Sequence, residues 1–175
     1  MTTIYDPKNP KYFDEADVRA ELTRVYDLCH GCRLCVKFCT SFPTLFEMID
    51  RRDDHDAGRL TPAQQDQVVD ECFQCKLCYI NCPYIPELHE WALDFPRLML
   101  RADAMRHVNG QVSVRDRVTN TVLGHTDLVG KAASLAAPVA NKVLGAKPGS
   151  AVRKAMAMAT GVSSVRLLPP YARQR

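Results

Sequence analysis

The chain has 175 residues, 46% hydrophobic and 25% charged, an ordinary mix for a folded globular protein rather than a disordered one. Its net charge of +3 hides an asymmetry: residues 1–100 carry 11 Lys and Arg against 17 Asp and Glu, a net of −6, and residues 101–175 carry 12 against 3, a net of +9. No charged start leads into an apolar run, so no signal peptide is expected, and the most apolar stretch, 128–146, is broken by Lys131, Pro138, Asn141 and Lys142 and makes a poor membrane span.

In chain order, residues 1–13 are polar, contain Pro7 and Pro10, and read as an arm. Asp14 is a helix cap, with Phe13 before it and Val18 at the staple position; Val18, Leu22 and Val25 then recur at helical spacing and lead to Cys29. A short helix is expected over SFPTLFEMID, with Leu45, Phe46 and Ile49 apolar, followed by an exposed loop, RRDDHDAGR. Thr61-Pro62-Ala63-Gln64 is a strong helix start that should run through Val68 and Val69. After Pro83 and Pro86 a helix is expected to resume and reach His107, with a break at Pro96. In the tail, Val114, Val118 and Val122 fit one helical face. Asp127 is expected to cap a helix carrying Val129, Leu135, Val139 and Val143. Ser150 should cap Ala151 to Thr160, ended by Gly161. No segment alternates as a strand would, so the fold class is mainly α.

All eight cysteines lie in two strings, CHGCRLCVKFC (Cys29 to Cys39) and CFQCKLCYINC (Cys72 to Cys82). Both read C-x2-C-x2-C-x3-C. In a reducing compartment thiols serve metals rather than disulfides, and a cytoplasmic address is the expectation here. A cubane 4Fe–4S cluster takes four thiolates. Three cysteines spaced by two residues wrap three of its corners, while the fourth is carried past the loop and, in two-cluster proteins, ligates the other cluster. The expected sets are therefore Cys29, Cys32, Cys35 and Cys82 for cluster one, and Cys72, Cys75, Cys78 and Cys39 for cluster two. Pro83 completes the second string; Thr40 stands at that place in the first. Zinc is the alternative, but zinc sites use cysteine pairs across a longer spacer, not triplets plus one.

The residues between the ligands, Leu34, Val36, Phe38, Phe73, Leu77, Tyr79 and Ile80, are expected to exclude water from the clusters. His30 and Phe73 hold equivalent places; His30 either tunes one cluster with pH or, the favoured reading, is a solvated loop residue. Arg33 and Lys76 are also equivalent, either offsetting cluster charge or simply solvated. Asp53, Asp54, His55 and Asp56 read as a charged surface loop rather than a metal site.

CHGCRLCVKFC, DECFQCKLCYINCPY and the 32 residues between Cys39 and Cys72 resemble the alpha-helical ferredoxin domain of the iron–sulfur subunits of succinate dehydrogenase and fumarate reductase. The resemblance is closer to heterodisulfide-reductase-like proteins and to the iron–sulfur subunit of anaerobic glycerol-3-phosphate dehydrogenase. It covers residues 14–107, and leaves 108–175 as a basic helical extension or linker. It implies a relay of single electrons through two 4Fe–4S clusters, taken from a flavoprotein or other donor and given to a quinone, a disulfide or another redox module, within a hetero-complex. Many of those relatives carry adjacent paired cysteines further on; here the last cysteine is Cys82.

No dinucleotide-binding or phosphate-binding glycine motif is present, and no catalytic residue is assigned. The basic tail suggests peripheral association with an anionic membrane at its cytoplasmic face. A nucleic-acid-binding or sensing role is the alternative, disfavoured because the tail has no aromatic before Tyr171 to stack on bases.

Overall fold

The computed structural model describes residues 5–172. Among them every regular element is a helix. The chain divides between Gln111 and Val112 into two units.

The first unit is built on α1 (Glu15–Cys32), α2 (Ser41–Asp50), α3 (Pro62–Asp70), a single turn α4 (Leu77–Ile80) and α5 (Phe95–Val108), with a short 3-10 turn, Ala57–Arg59, between α2 and α3. The caps fall where the sequence puts them. Asp14 accepts from the Asp17 amide at 2.8 Å, and Thr61 and Gln64 form the reciprocal capping box, with Pro62 in the first turn. The helix ending at Cys29 in expectation runs one turn further, to Cys32. The helix expected after Pro86 starts only at Phe95. Pro96 opens α5 instead of breaking it, because a proline in the first turn removes an amide that would have no partner there, and Asp94 supplies the cap.

One core joins these helices. Val18, Leu22, Val25 and Tyr26 of α1 meet Phe42, Leu45, Phe46 and Ile49 of α2, Val68 and Val69 of α3, and Leu98, Met99, Ala102 and Met105 of α5, all buried. Each fully buried large apolar side chain contributes about 1.5–3 kcal/mol. Polar ties fix the register: Tyr26 donates to the Gln65 carbonyl at 3.2 Å, Arg19 reaches Asp66 at 2.5 Å, and Arg106 reaches Asp70 at 2.6 Å. The segment expected as an arm is held at its end. Arg101 of α5, fully buried, donates to the carbonyls of Tyr12 and Lys11 at 2.9 and 2.6 Å.

The second unit comprises α6 (Val114–Gly124), α7 (Thr126–Leu135), α8 (Ala137–Leu144) and α9 (Ala151–Thr160). Ser150 caps α9, and Gly161 ends it in the left-handed region at φ 78°. The single helix expected from Asp127 to Val143 is two. Pro138 falls in the first turn of α8, so the chain breaks at Ala136, and Asp127 lies inside the first turn of α7 rather than capping it. Among the described residues of this unit only Ala137 and Arg153 are buried. Arg153 takes the place of an apolar centre: its guanidinium donates to the carbonyls of Ser163, at 3.2 Å, and Arg166. No helix among the described residues is long and apolar enough to cross a membrane.

Candidate metal centre

Each cysteine string follows a core helix. Cys29 and Cys32 occupy the last turn of α1, Cys35 lies in the turn beyond, and Cys39 immediately precedes the start of α2 at Thr40 and Ser41. Cys72 and Cys75 follow α3, Cys78 sits in α4, and Cys82 lies just after it. The two strings share one backbone device. Arg33 and Lys76, each directly after the second cysteine of its string, both adopt the left-handed conformation, at φ 54° and 62°. That reversal turns the chain around the position where a cluster would sit. In the second string Gln74 is also left-handed, at φ 55°, whereas its counterpart Gly31 is helical.

None of the eight cysteines is paired in a disulfide. Cys29, Cys32, Cys35 and Cys82 line one apolar cavity with Leu28, Leu34, Phe42, Phe46, Tyr84 and Leu93. A second cavity brings Cys29, Cys35 and Cys82 together with Cys78 against Phe42, Leu93 and Phe95.

The electrostatics couple the cysteines of both strings. Burial pushes the Cys29 thiol well up, and its neighbours Cys35, Cys82, Cys78 and Cys32 add to the shift. Burial, then Cys82, Cys32 and Cys39, raise Cys35 to about 11. Burial, then Cys35, Cys72, Cys39 and Cys75, raise Cys78 to about 12. Cys72 is raised by burial, with Cys39 among the thiols that add to it. Thiols this crowded cannot all ionise unless cations stand among them. That is the donor chemistry an iron–sulfur cluster requires, since each iron binds a thiolate. Two sulfurs also receive hydrogen-bond donors: the Tyr84 amide is 3.4 Å from Cys82 Sγ, and Gln74 Nε2 is 3.7 Å from Cys72 Sγ. Such bonds stabilise charge on sulfur and tune a bound cluster.

Several expectations need correction. The loop residues do not shield the cysteines as a group. Phe73 and Ile80 are 74% and 75% exposed, Leu34, Val36 and Leu77 are also exposed, and only Phe38 and Tyr79 are half-buried. The apolar cover comes instead from α2, α5 and the segment between, through Phe42, Phe46, Leu93 and Phe95. Only Leu34 and Tyr79 of this set line the cysteine cavities, so local hydrophobicity was a poor guide there. Phe42 and Phe46 carried a legible signal, an apolar face starting three residues after Cys39.

His30 is not a solvated loop residue. It lies in α1 with its side chain 15% exposed and its Nε2 2.9 Å from Asp50 Oδ1. His55, in the expected surface loop at φ 48°, stacks on the His30 ring at 6.2 Å and approaches Asp50 at 3.9 Å.

Residues 21–83 match the family model of the 4Fe-4S dicluster domain. No curated protein matches the chain, and no solved structure does. The matched segment spans both cysteine strings and the helices α2 and α3 between them. The chain therefore carries an iron–sulfur, ferredoxin-like domain in a mainly helical fold, and with it an iron–sulfur electron-transfer role.

Proposed function

We propose that the chain relays single electrons through two 4Fe–4S clusters held by crossed ligation. Cys29, Cys32, Cys35 and Cys82 hold the first, and Cys72, Cys75, Cys78 and Cys39 the second. The observation that carries this reading is the gathering of Cys82 with Cys29, Cys32 and Cys35 around one apolar cavity. A bound cluster cycles by one electron with little rearrangement, which suits a relay. The chain's own residues supply the thiolates, the apolar cover and the amide and side-chain donors at sulfur.

The chain works as a subunit or module of a larger oxidoreductase. Its donor is a flavoprotein, and its acceptor is a cysteine-rich or quinone-reactive partner. The cysteine spacing and the resemblance of residues 14–107 support this setting; the remaining residues form the basic helical extension.

The deciding experiment is the content of iron, acid-labile sulfide and zinc in anaerobically purified protein. About eight irons and eight sulfides per chain are expected. About two zincs without sulfide would mean all-thiolate structural sites and would end the relay reading.

A second reading concerns the basic unit. Its apolar side chains point outward on α6 (Val114, Val118), α7 (Leu128, Leu135) and α8 (Val139). Residues 112–172 carry eight Lys and Arg against two Asp. Both features favour an anionic lipid surface at the cytoplasmic face of a membrane. Flotation with anionic but not zwitterionic vesicles is the expected result, and failure to float with either rejects it.

A further inference from the structure

His30, Asp50 and His55 bring three ligating atoms within 4.8 Å of one another at the edge of the first cysteine string. This cluster already contains a cation, the guanidinium of Arg33. Arg33 Nη1 donates to Asp50 Oδ2 at 3.0 Å, and Nη2 donates to Asp50 Oδ1 while also touching His30 Nε2. The same guanidinium turns back onto the chain: its Nε donates to the His30 carbonyl at 3.0 Å. Its Cζ lies 5.3 Å from the centroid of the Phe46 ring, itself part of the cover over the cysteines. The Arg33 amide donates to the Cys29 carbonyl at 2.8 Å. Every group on Arg33 is thus engaged in holding the left-handed turn between Cys32 and Cys35.

The equivalent residue in the second string has no comparable side-chain latch. Lys76 adopts the same left-handed turn, yet among the described residues it makes no ion pair, and Gln74 beside it is left-handed as well. A non-glycine residue in that region costs on the order of 1 kcal/mol. The first turn has a side-chain anchor to offset that cost; the second is held through its backbone, the Lys76 carbonyl accepting from the Tyr79 and Ile80 amides at 3.0 and 3.2 Å.

We propose that Asp50, at the end of α2, is a positioning residue for the first cluster. It latches Arg33 and so keeps the Cys32–Cys35 turn in its ligating shape, a side-chain device that the second string lacks. This rests on the iron–sulfur reading above. Asp50 contacts none of the cysteines and acts on the turn through Arg33 and His30.

The test uses anaerobic, cluster-loaded protein challenged with an iron chelator. Alkylation of Cys32 and of Cys75, the two exposed cysteines, is followed by peptide mass spectrometry. Cys32 reports the first string and Cys75 the second. In both Asp50→Asn and Arg33→Gln, Cys32 should become reactive about two- to fivefold faster, the range that a well-formed surface ion pair supplies. Cys75 should keep its wild-type rate, and Asp50→Glu should recover much of the Cys32 protection.

An unchanged Cys32 rate in both variants overturns the proposal. So does an equal acceleration at Cys75, which would mark a general loss of stability. Opposite shifts of redox potential in the two variants, with Cys32 retention unchanged, would make Asp50 and Arg33 charges only, and would overturn it too. A wild-type protein whose cysteines all react at once, before chelator, would instead sink the iron–sulfur reading itself.

Discussion

Arg101 of α5 donates through Nη2 to the Asp17 carboxylate of α1 at 2.7 Å, with the arginine side chain buried and the aspartate partly open to water. The guanidinium also holds the carbonyls of Lys11 and Tyr12 and packs over the Tyr12 ring at 5.6 Å. One side chain therefore fastens the entry of α1 to the face of α5. Arg101→Ala removes three hydrogen bonds and leaves the Lys11 and Tyr12 carbonyls without this donor. The expected loss is roughly 2–4 kcal/mol. Urea denaturation of the full chain should show it, with Asp17→Asn costing distinctly less; equal stability of Arg101→Ala and wild type would contradict the role.

Removing Cys39 tests the crossing of ligands. Cys39→Ser should damage the cluster held by Cys72, Cys75 and Cys78 and spare the one held by its own string. About half of the iron should be lost, with Cys75 rather than Cys32 becoming open to alkylation. The reverse pattern would make each string self-contained.

The cluster-free protein should be sensitive to alkali. Its Cys35 and Cys78 thiols are raised from an ordinary 9.0 to about 11 and about 12, by burial first and neighbouring cysteines second. A raised folded-state value means that the folded chain holds its proton longer than the unfolded chain. Stability from these groups is then fully present below pH 9 and is lost as pH climbs toward 11 to 12. Each thiol contributes at most about 1 kcal/mol between pH 9 and 10, less after solvent screening. Tyr26, buried and raised well above its usual value, acts in the same direction. The urea midpoint of cluster-free protein should fall between pH 8 and pH 10, and a flat profile would refute this.

In the second unit, Arg153 closes the segment after α9 onto the helix that carries it. Arg153→Ala should expose the carbonyls of Ser163 and Arg166 and cost about 1–3 kcal/mol. Limited proteolysis should then cut preferentially between Gly161 and Leu167, whereas an unaltered cleavage pattern would show that the segment is held by other means.

Much of the metal centre was legible because its signal is local. Eight cysteines at fixed spacing carry their chemistry in the string itself, and helix starts at Asp14, Thr61 and Ser150 carry theirs in one side chain. What stayed hidden was tertiary. Asp50 and Arg33 lie 17 residues apart on separate elements, and nothing in either neighbourhood announces the pair. Arg101 and Arg153 are charged residues in buried places, which composition alone assigns to the surface. The loop apolar residues misled in the opposite sense: a turn tight enough to wrap a cluster has no room to fold Phe73 or Ile80 back over it.

The raised thiols also bear on how the domain survives before it is loaded. Oxidants attack thiolates far faster than thiols. Cys29, Cys35 and Cys78, held as thiols at neutral pH, are chemically quiet while they wait for metal. Cys32 and Cys75 stand at the surface and meet an oxidant first. A newly made chain is thus most vulnerable at one cysteine in each string, and damage there would leave the deeper ligands intact around a site that can no longer be completed.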